Sequence, residues 1–433
     1  MPGIFVHTVP LPMISLLLDL NILGRGHAAE VTRAGIFRAT EGFVRAMLRR
    51  DDITVRFSAE ANWASELLLL AYDRASGGAL APRILRAWEQ PGITDADATA
   101  LITHVVAEET AHRDARRDRA QLTLLNATAR RRGLPGSFDV VHSLRTPLAA
   151  PERISARARA LTIHDLIPIL HPEWMYANAG AELGAITRSI LPGDSVIANS
   201  VATGEDVIAE LGVPPERVFV IPMAAASELF YAESDVSVIE AVRSRYGIAP
   251  GPYLLSVCTL EPRKNLRHLL HCFRRLCMEG KLADISLVLV GAVGWKSESL
   301  LAMLDEHQEL RGRVVLAGYV PDADLAALYS GARAFVYLSL YEGFGLPVLE
   351  ALQCGTPVIT SDSSSLPEVV GDAAICVSPD DAEALAEALV SATTDDTLAA
   401  DFARRGLQRA ALFSWERTAE ESVRAYSVML ERA

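Results

Sequence analysis

Two carboxylates eight positions apart, Glu342 and Glu350, lie in the stretch YEGFGLPVLEALQCGTPVI, Tyr341 to Ile359. The first is in a loop flanked by Gly343. The second falls in an apolar run, Val348 to Cys354, that reads as a helix with Pro347 in its first turn. Proline suits that turn because its missing N–H has no helical partner there. The glycines at 343 and 345 keep side-chain bulk out of the loop, so its N–H groups and those of the helix start are free to face an anion such as a phosphate. A phosphate does not call for two glutamates, so the pair needs another role.

A second anion-directed pattern is SVCTLEPRKNL, which puts Arg263 and Lys264 between a strand and a helix. Cations at a helix start oppose its dipole, and ordinary siting favours acids there. Two cations beside backbone N–H groups make an anion site; the alternative is a pair of solvated surface cations. His164 and Asp165 end one strand-like run, ALTIHD, and His142 ends another, DVVHS. Single histidines in such places are more often structural than catalytic. Gly35 and Arg38, in TRAGIFRATEGF, precede a helix near the first strand and give a third phosphate-directed position.

Several patterns lead away from other chemistries. GAVGWKS lacks the spacing of a phosphate-binding P-loop. Asp95 with Asp97, and Asp322 with Asp324, open helical runs, where capping and dipole complementation explain them without a metal. No H-E-x-x-H, His/Cys metal spacing or G-x-S-x-G is present, so no metal site is expected. The arginines of HRDARRDRA and ARRRG read as a solvated helix face; the other reading is a surface for an anionic acceptor or a membrane.

The elements that must position these residues follow from length and pattern. A chain of 433 residues exceeds one ordinary core, which makes two domains the default. A net charge of −13 argues against a broad nucleic-acid surface, which needs a basic face. Five cysteines without a C-x-x-C pair read as reduced core residues of a cytoplasmic protein. The run PMISLLLDLNIL is interrupted by Asp19 and is shorter than the ~20 residues that span a bilayer. It reads as a buried first strand, so no transmembrane segment is expected.

Apolar strand patterns at 252–260, 285–291, 313–320, 334–340, 357–362 and 373–379 alternate with helical ones. This predicts a doubly wound parallel sheet. The N-terminal half repeats the pattern more loosely, with a mostly helical insertion at about 59–136. The expected organisation is an N-terminal domain at 1–230, a C-terminal domain at 231–414 and a last helix at 415–433. Ligands of such sheets bind at the carboxyl ends of strands, where each candidate falls.

These residues resemble a family. EGFGLPVLE is similar to the E-x7-E signature of the retaining glycosyltransferases of family 4, and VCTLEPRKNL resembles that family's diphosphate loop. LVLVGAVGW, LAGYVPDADLAALYSGA, GTPVITSDSSSLPEVVGDAA and FSWERTAEESVRAY follow in the same order. The resemblance is dense from about Thr162 to Tyr426. Many members carry a Gly-Arg pair where this chain has Cys258-Thr259, and the nearest arginine here is Arg263. The resemblance implies a GT-B fold, with two Rossmann-like domains facing a cleft and the last helix crossing back to the N-terminal domain. It implies that Glu350 binds the donor ribose, that Glu342 lies near the donor sugar, and that Phe344, Gly345 and Leu346 contact sugar and diphosphate. It further implies that Arg263 and Lys264 neutralise the diphosphate, that Tyr319 and Val320 flank the base, and that His164 and Gly35 approach sugar and phosphates. His142, Asp165 and Arg38 then fall on the acceptor side.

The implied activity is metal-independent transfer of a hexose, with no cofactor, from a nucleoside diphosphate sugar to a glycan, lipid-linked or small-molecule hydroxyl. No nucleic acid takes part, and membrane contact would be peripheral. Retention by a carboxylate nucleophile needs a β-face carboxylate. One member of the E-x7-E pair is engaged at the ribose, so front-face substitution is the reading adopted. A sugar phosphorylase or nucleotide-sugar epimerase of the same fold, and a non-catalytic binding module, are the competing classes.

Overall fold

The computed structural model describes residues 13–23, 35–59, 63–86, 134 and 136–433, with separate positions between 88 and 131. Two six-stranded parallel sheets organise it. The first runs in the order β2-β1-β5-β6-β7-β8. Its strands are β1 (Ile14–Asp19), β2 (Ile53–Ser58), β5 (Ser137–Ser143), β6 (Ser155–Ile163), β7 (Ser195–Ala198) and β8 (Val218–Val220). A separate antiparallel pair, β3 (Trp88–Glu89) and β4 (Arg130–Arg131), interrupts the numbering. The second sheet runs β11-β10-β9-β12-β13-β14. It comprises β9 (Tyr253–Val257), β10 (Ser286–Val290), β11 (Val314–Gly318), β12 (Ala334–Tyr337), β13 (Val358–Ser361) and β14 (Ile375–Val377). The helices that matter below are α1 (Ile36–Leu48), α2 (Trp63–Ala75), α3 (Val201–Leu211), α4 (Leu266–Met278), α5 (Asp322–Ser330), α6 (Leu346–Gln353), α7 (Leu366–Val370) and α8 (Trp415–Glu431).

The expected Rossmann-like α/β architecture is present. In the second sheet β9 is flanked by β10 and β12, which is the dinucleotide-fold strand order 3-2-1-4-5-6. Its central strands are buried on both faces, as in β12, where all four residues are enclosed; this is why they read as unbroken apolar runs. Helix α4 buries Leu266, Leu269, Leu270, Phe273 and Leu276 against them, one stripe at helical spacing.

The first strand stops earlier than its apolar run. Asp19 accepts the N–H of Asn21 at 3.1 Å, and residues 21–23 turn helical, a local bond that competes with the ladder. The insertion is helical in α2, but Arg130 and Arg131 are not on a helix face. Their backbone pairs with Glu89 and Trp88 in a two-residue ladder. Residues 112–119 of HRDARRDRA, Arg132, Asp95 and Asp97 lie outside the described residues. Asp322 and Asp324 do open α5, though neither side chain caps it; Asp324 instead pairs with Arg245 at 2.6 Å and accepts from Tyr246 at 2.6 Å.

All five thiols are unbridged. Cys272 and Cys354 are buried, but Cys376 is exposed, because β14 is an edge strand. Among the described residues no helix is long and apolar enough to cross a membrane.

Compactness divides the chain differently from the boundaries at 230 and 414. One unit holds Met1–Leu161, Ser189–Ser195 and Ser422–Ala433; the other holds Thr162–Arg188 and Val196–Glu421. Side chains bind the 162–211 segments into the second unit. Glu368 of α7 accepts the Val201 and Ala202 N–H groups at the start of α3, at 2.8 and 3.1 Å. The Trp295 indole donates to the Trp174 carbonyl at 2.6 Å, and the Tyr341 hydroxyl donates to Asp206 at 2.7 Å.

In the first unit, His142 of β5 is enclosed. Its Nδ1 lies 2.8 Å from the Tyr426 hydroxyl, and its ring meets Phe43 and Tyr426 edge-on. The strand's alternation turns this ring into the packing. Tyr426→Phe should lower unfolding stability by about 1–3 kcal/mol, since it leaves a buried ring nitrogen without its partner; urea titration measures this, and an unchanged midpoint would show that the bond contributes nothing.

Candidate functional site

The second sheet reverses its winding between β9 and β12, and such a switch point leaves a crevice at the carboxyl ends of the two strands. The chain leaves β9 through Cys258–Glu261, forms a short 3-10 turn at Pro262–Lys264, and enters α4 after Asn265, whose φ is 55°. It leaves β12 through residues 338–345 and enters α6, with Pro347 in the first turn as the sequence predicts. The two loops are joined by backbone, Leu340 N–H donating to the Arg263 carbonyl at 2.8 Å.

Arg263 and Lys264 are not solvated surface cations. Lys264 Nζ lies 2.5 Å from Glu342 Oε1 and donates to the Tyr337 hydroxyl at 2.6 Å. The same ammonium sits 5.0 Å from the Tyr337 ring centre. Arg263 reaches Glu342 Oε1 at 2.7 Å through one terminal nitrogen and Glu261 Oε1 at 2.7 Å through the other. Tyr337 also donates to Glu342, at 2.9 Å. Two cations thus face two carboxylates in a nearly dry cluster. Burial alone would raise the Glu342 carboxyl, but the Arg263 and Lys264 charges and the bonds from Lys264 and Ser339 bring it down to about 2. Burial and the neighbouring Glu342 push the Tyr337 phenol well above its usual range.

The glutamate loop is fixed from two further sides. Ser364 accepts the Glu342 N–H at 2.8 Å, and Ser365 donates to the Glu342 and Phe344 carbonyls, each at 2.9 Å. The Thr203 hydroxyl of α3 lies 3.2 Å from the Gly343 carbonyl and 3.4 Å from that of His164. A Cβ at 343 would stand 1.9 Å from the His164 carbonyl oxygen, so only glycine lets the loop lie against the turn after β6. His164 therefore meets the loop through its backbone. Asp165 accepts the Ile167 N–H at 3.1 Å.

Glu350 lies inside α6, almost fully buried, and accepts the Tyr329 hydroxyl at 3.0 Å. Gly345 caps that helix at φ 104°. Phe344 and Leu346 are buried, Phe344 edge-on to Phe413. After β11, Tyr319 is exposed and Val320 is buried. In the first unit, Gly35 precedes α1 at φ 56°, facing open space where a Cβ would stand, and Arg38 sits in the first turn of α1. Among the described residues no three His, Cys, Asp or Glu converge as metal ligands do. Sequence reasoning passed over Glu261, Tyr337, Tyr329, Thr203, Ser364 and Ser365. The two serines stood in view as the SDSSSLP turn after β13, and Glu261 stood two places before Arg263 in the loop after β9; Tyr337, Tyr329 and Thr203 are strand or helix residues with no local signature.

The family described as glycosyl transferases group 1 matches residues 238–409, which contain both loops. The O-antigen chain mannosyltransferase B of Escherichia coli is 35% identical over 269 residues, 62% of this chain and 70% of that protein. The serotype-specific mannosyltransferase WbdA of Escherichia coli is 29% identical over 277 residues, and the chain spans about a third of its length. Among solved structures, Anabaena Alr3699/HepE in complex with UDP and glucose superposes with a TM-score of 0.60 at 18% identity, over 96% of this chain and 99% of that one. That likeness carries the GT-B fold.

Glu342→Gln should destabilise the protein by about 3–5 kcal/mol at neutral pH, because it leaves two buried cations short of their carboxylate. The Glu342 pKa of about 2 lies below the ordinary glutamate value, so this stabilisation is complete above pH ~4.5 and is lost as pH falls through about 2. Urea unfolding of both proteins from neutral pH downward should show a constant gap that narrows only below pH ~4.5; a pH-independent gap would contradict the depressed carboxyl.

Proposed function

Because the chain belongs to the glycosyl transferases of group 1, we propose that it moves a mannosyl group from a nucleoside diphosphate sugar to a saccharide, lipid-linked or small-molecule hydroxyl. In this reading it does so with retention and without a metal ion. The observation that carries the reading is the Arg263–Lys264–Glu342 cluster at the β9/β12 switch point. The mannosyl assignment is drawn from the names of the relatives.

Cleavage of the anomeric bond loads negative charge onto the departing diphosphate. Fixed cations and helix N-terminal N–H groups, aimed beforehand, stabilise that charge as it forms. In this chain those groups are Arg263, Lys264 and the start of α6. A Glu342 carboxylate already held by two cations is a weak nucleophile, which favours front-face substitution with the leaving phosphate taking the acceptor proton. Glu342 then acts near the donor sugar once the diphosphate draws the cations toward itself, and Glu350 acts at the ribose. Tyr319 lies against the base.

Lys264→Ala should weaken nucleoside diphosphate binding by about 1.5–3 kcal/mol, the worth of one charge-assisted contact, and slow transfer; calorimetry with GDP and UDP reads the first, and unchanged affinity would remove Lys264 from the site. Transfer should survive EDTA, with product configuration read by NMR. Loss of activity restored by Mg²⁺ or Mn²⁺ would overturn the metal-free mechanism, and nucleotide release that needs phosphate instead of a sugar acceptor would favour a phosphorylase.

A further inference from the structure

The cation cluster holds a second carboxylate that the proposed chemistry leaves without a role. Glu261 precedes the 3-10 turn that carries Arg263 and Lys264, and its side chain is 2% exposed. Its Oε1 meets one terminal nitrogen of Arg263 at 2.7 Å, while its Oε2 is buried with no hydrogen-bond partner among the described residues. The backbone beside it is clamped. The Leu260 N–H donates to the Ala292 carbonyl at 2.9 Å, and the Gly294 N–H donates to the Leu260 carbonyl at 3.0 Å. A Cβ at 294 would stand 2.9 Å from that carbonyl oxygen, so the loops after β9 and β10 lie backbone to backbone. Glu261 is thus a fixed post on one side of Arg263. On the other side, the second terminal nitrogen lies 2.7 Å from both Glu342 Oε1 and the Tyr341 carbonyl.

We propose that Glu261 is a positioning residue that acts through Arg263 as a brake on diphosphate binding, so that the nucleoside diphosphate left after transfer is released. The proposal rests on the transferase reading above. Three features carry it. The desolvation of a buried carboxylate is offset only when its lone pairs are engaged, and here one oxygen is not, so the consequence of Glu261 falls on Arg263 more than on the fold. The two carboxylates hold separate nitrogens of the guanidinium. A phosphate can therefore take the place of Glu342 while Glu261 keeps its hold. The charges also bear on release. Cleavage of the anomeric bond leaves the diphosphate with up to one more negative charge than the donor carried, so a surplus cation would favour product over substrate. Slow product release limits turnover in many enzymes, and Glu261 offsets that surplus.

The test uses the full chain with GDP, UDP and inorganic pyrophosphate as calorimetric probes. Glu261→Gln keeps the shape and removes the charge, Glu261→Ala removes the side chain, and Glu261→Asp keeps the charge. The first two should bind pyrophosphate and the preferred nucleotide about tenfold more tightly, the least expected of one unit charge within ~10 Å at an effective dielectric constant of ~20. Their kcat for transfer should fall and product inhibition should strengthen, and the Asp variant should return affinity toward that of the wild type. Weaker or unchanged affinity in both charge-removing variants overturns the proposal, since Glu261 would then only hold Arg263 in place. Loss of folding in both overturns it too, by making Glu261 a stabilising residue. The transferase reading fails separately: tighter pyrophosphate binding by the variants of a chain that neither binds a nucleoside diphosphate nor transfers a sugar would keep Glu261 as a brake on an anion site and remove its part in product release. A chain that binds none of the three probes overturns both.

Discussion

A carboxylate enclosed with two cations sets the conditions at the β9/β12 crevice. Removing charges from water costs several kcal/mol per ion, and only close pairing with further hydrogen bonds repays it. Glu342 meets that requirement through Arg263, Lys264 and Tyr337, and Glu261 completes the balance on Arg263. Two positive and two negative groups leave the cluster near neutrality. An anion arriving at these loops therefore does not meet bare cations; it competes with a carboxylate for cations already placed. The rest of the second sheet serves this arrangement: β9 and β12 bring the two loops side by side, and serines after β13 fix the glutamate backbone.

Much of this was legible in the sequence because it is local. Each apolar run in the C-terminal half became a strand within a few residues of its expected bounds, and Pro347 marked the start of α6. The Arg-Lys pair and the two glutamates could be located because they follow strands. Their partners could not. Tyr337 is 73 residues from Lys264 and Tyr329 is 21 from Glu350, and nothing in a strand or helix pattern says which face meets a lysine or a glutamate. Thr203 is 140 residues from Gly343, and only the fold closes that distance.

The first unit was harder to read for a related reason. His142 and Asp19 both stand near strand ends, and their positions alone do not separate them. Alternation in β5 turns the histidine toward Phe43 and Tyr426, whereas Asp19 ends β1 at a cavity. The boundary placed near residue 230 and the division into compact units differ because covalent order and packing diverge. Glu368, Tyr341 and Trp295 bind segments that precede the boundary, and their bonds outweigh sequence proximity.

Gly343 gives the glutamate loop a mechanical property. Its missing side chain lets two stretches of backbone, one after β6 and one after β12, lie in contact without a cushioning layer of side chains. Side chains yield by changing rotamer; peptide planes do not. A displacement of the Glu342 carboxylate is therefore transmitted stiffly to the turn at His164, and the amide resonances of that turn become a gauge of what the cations are holding.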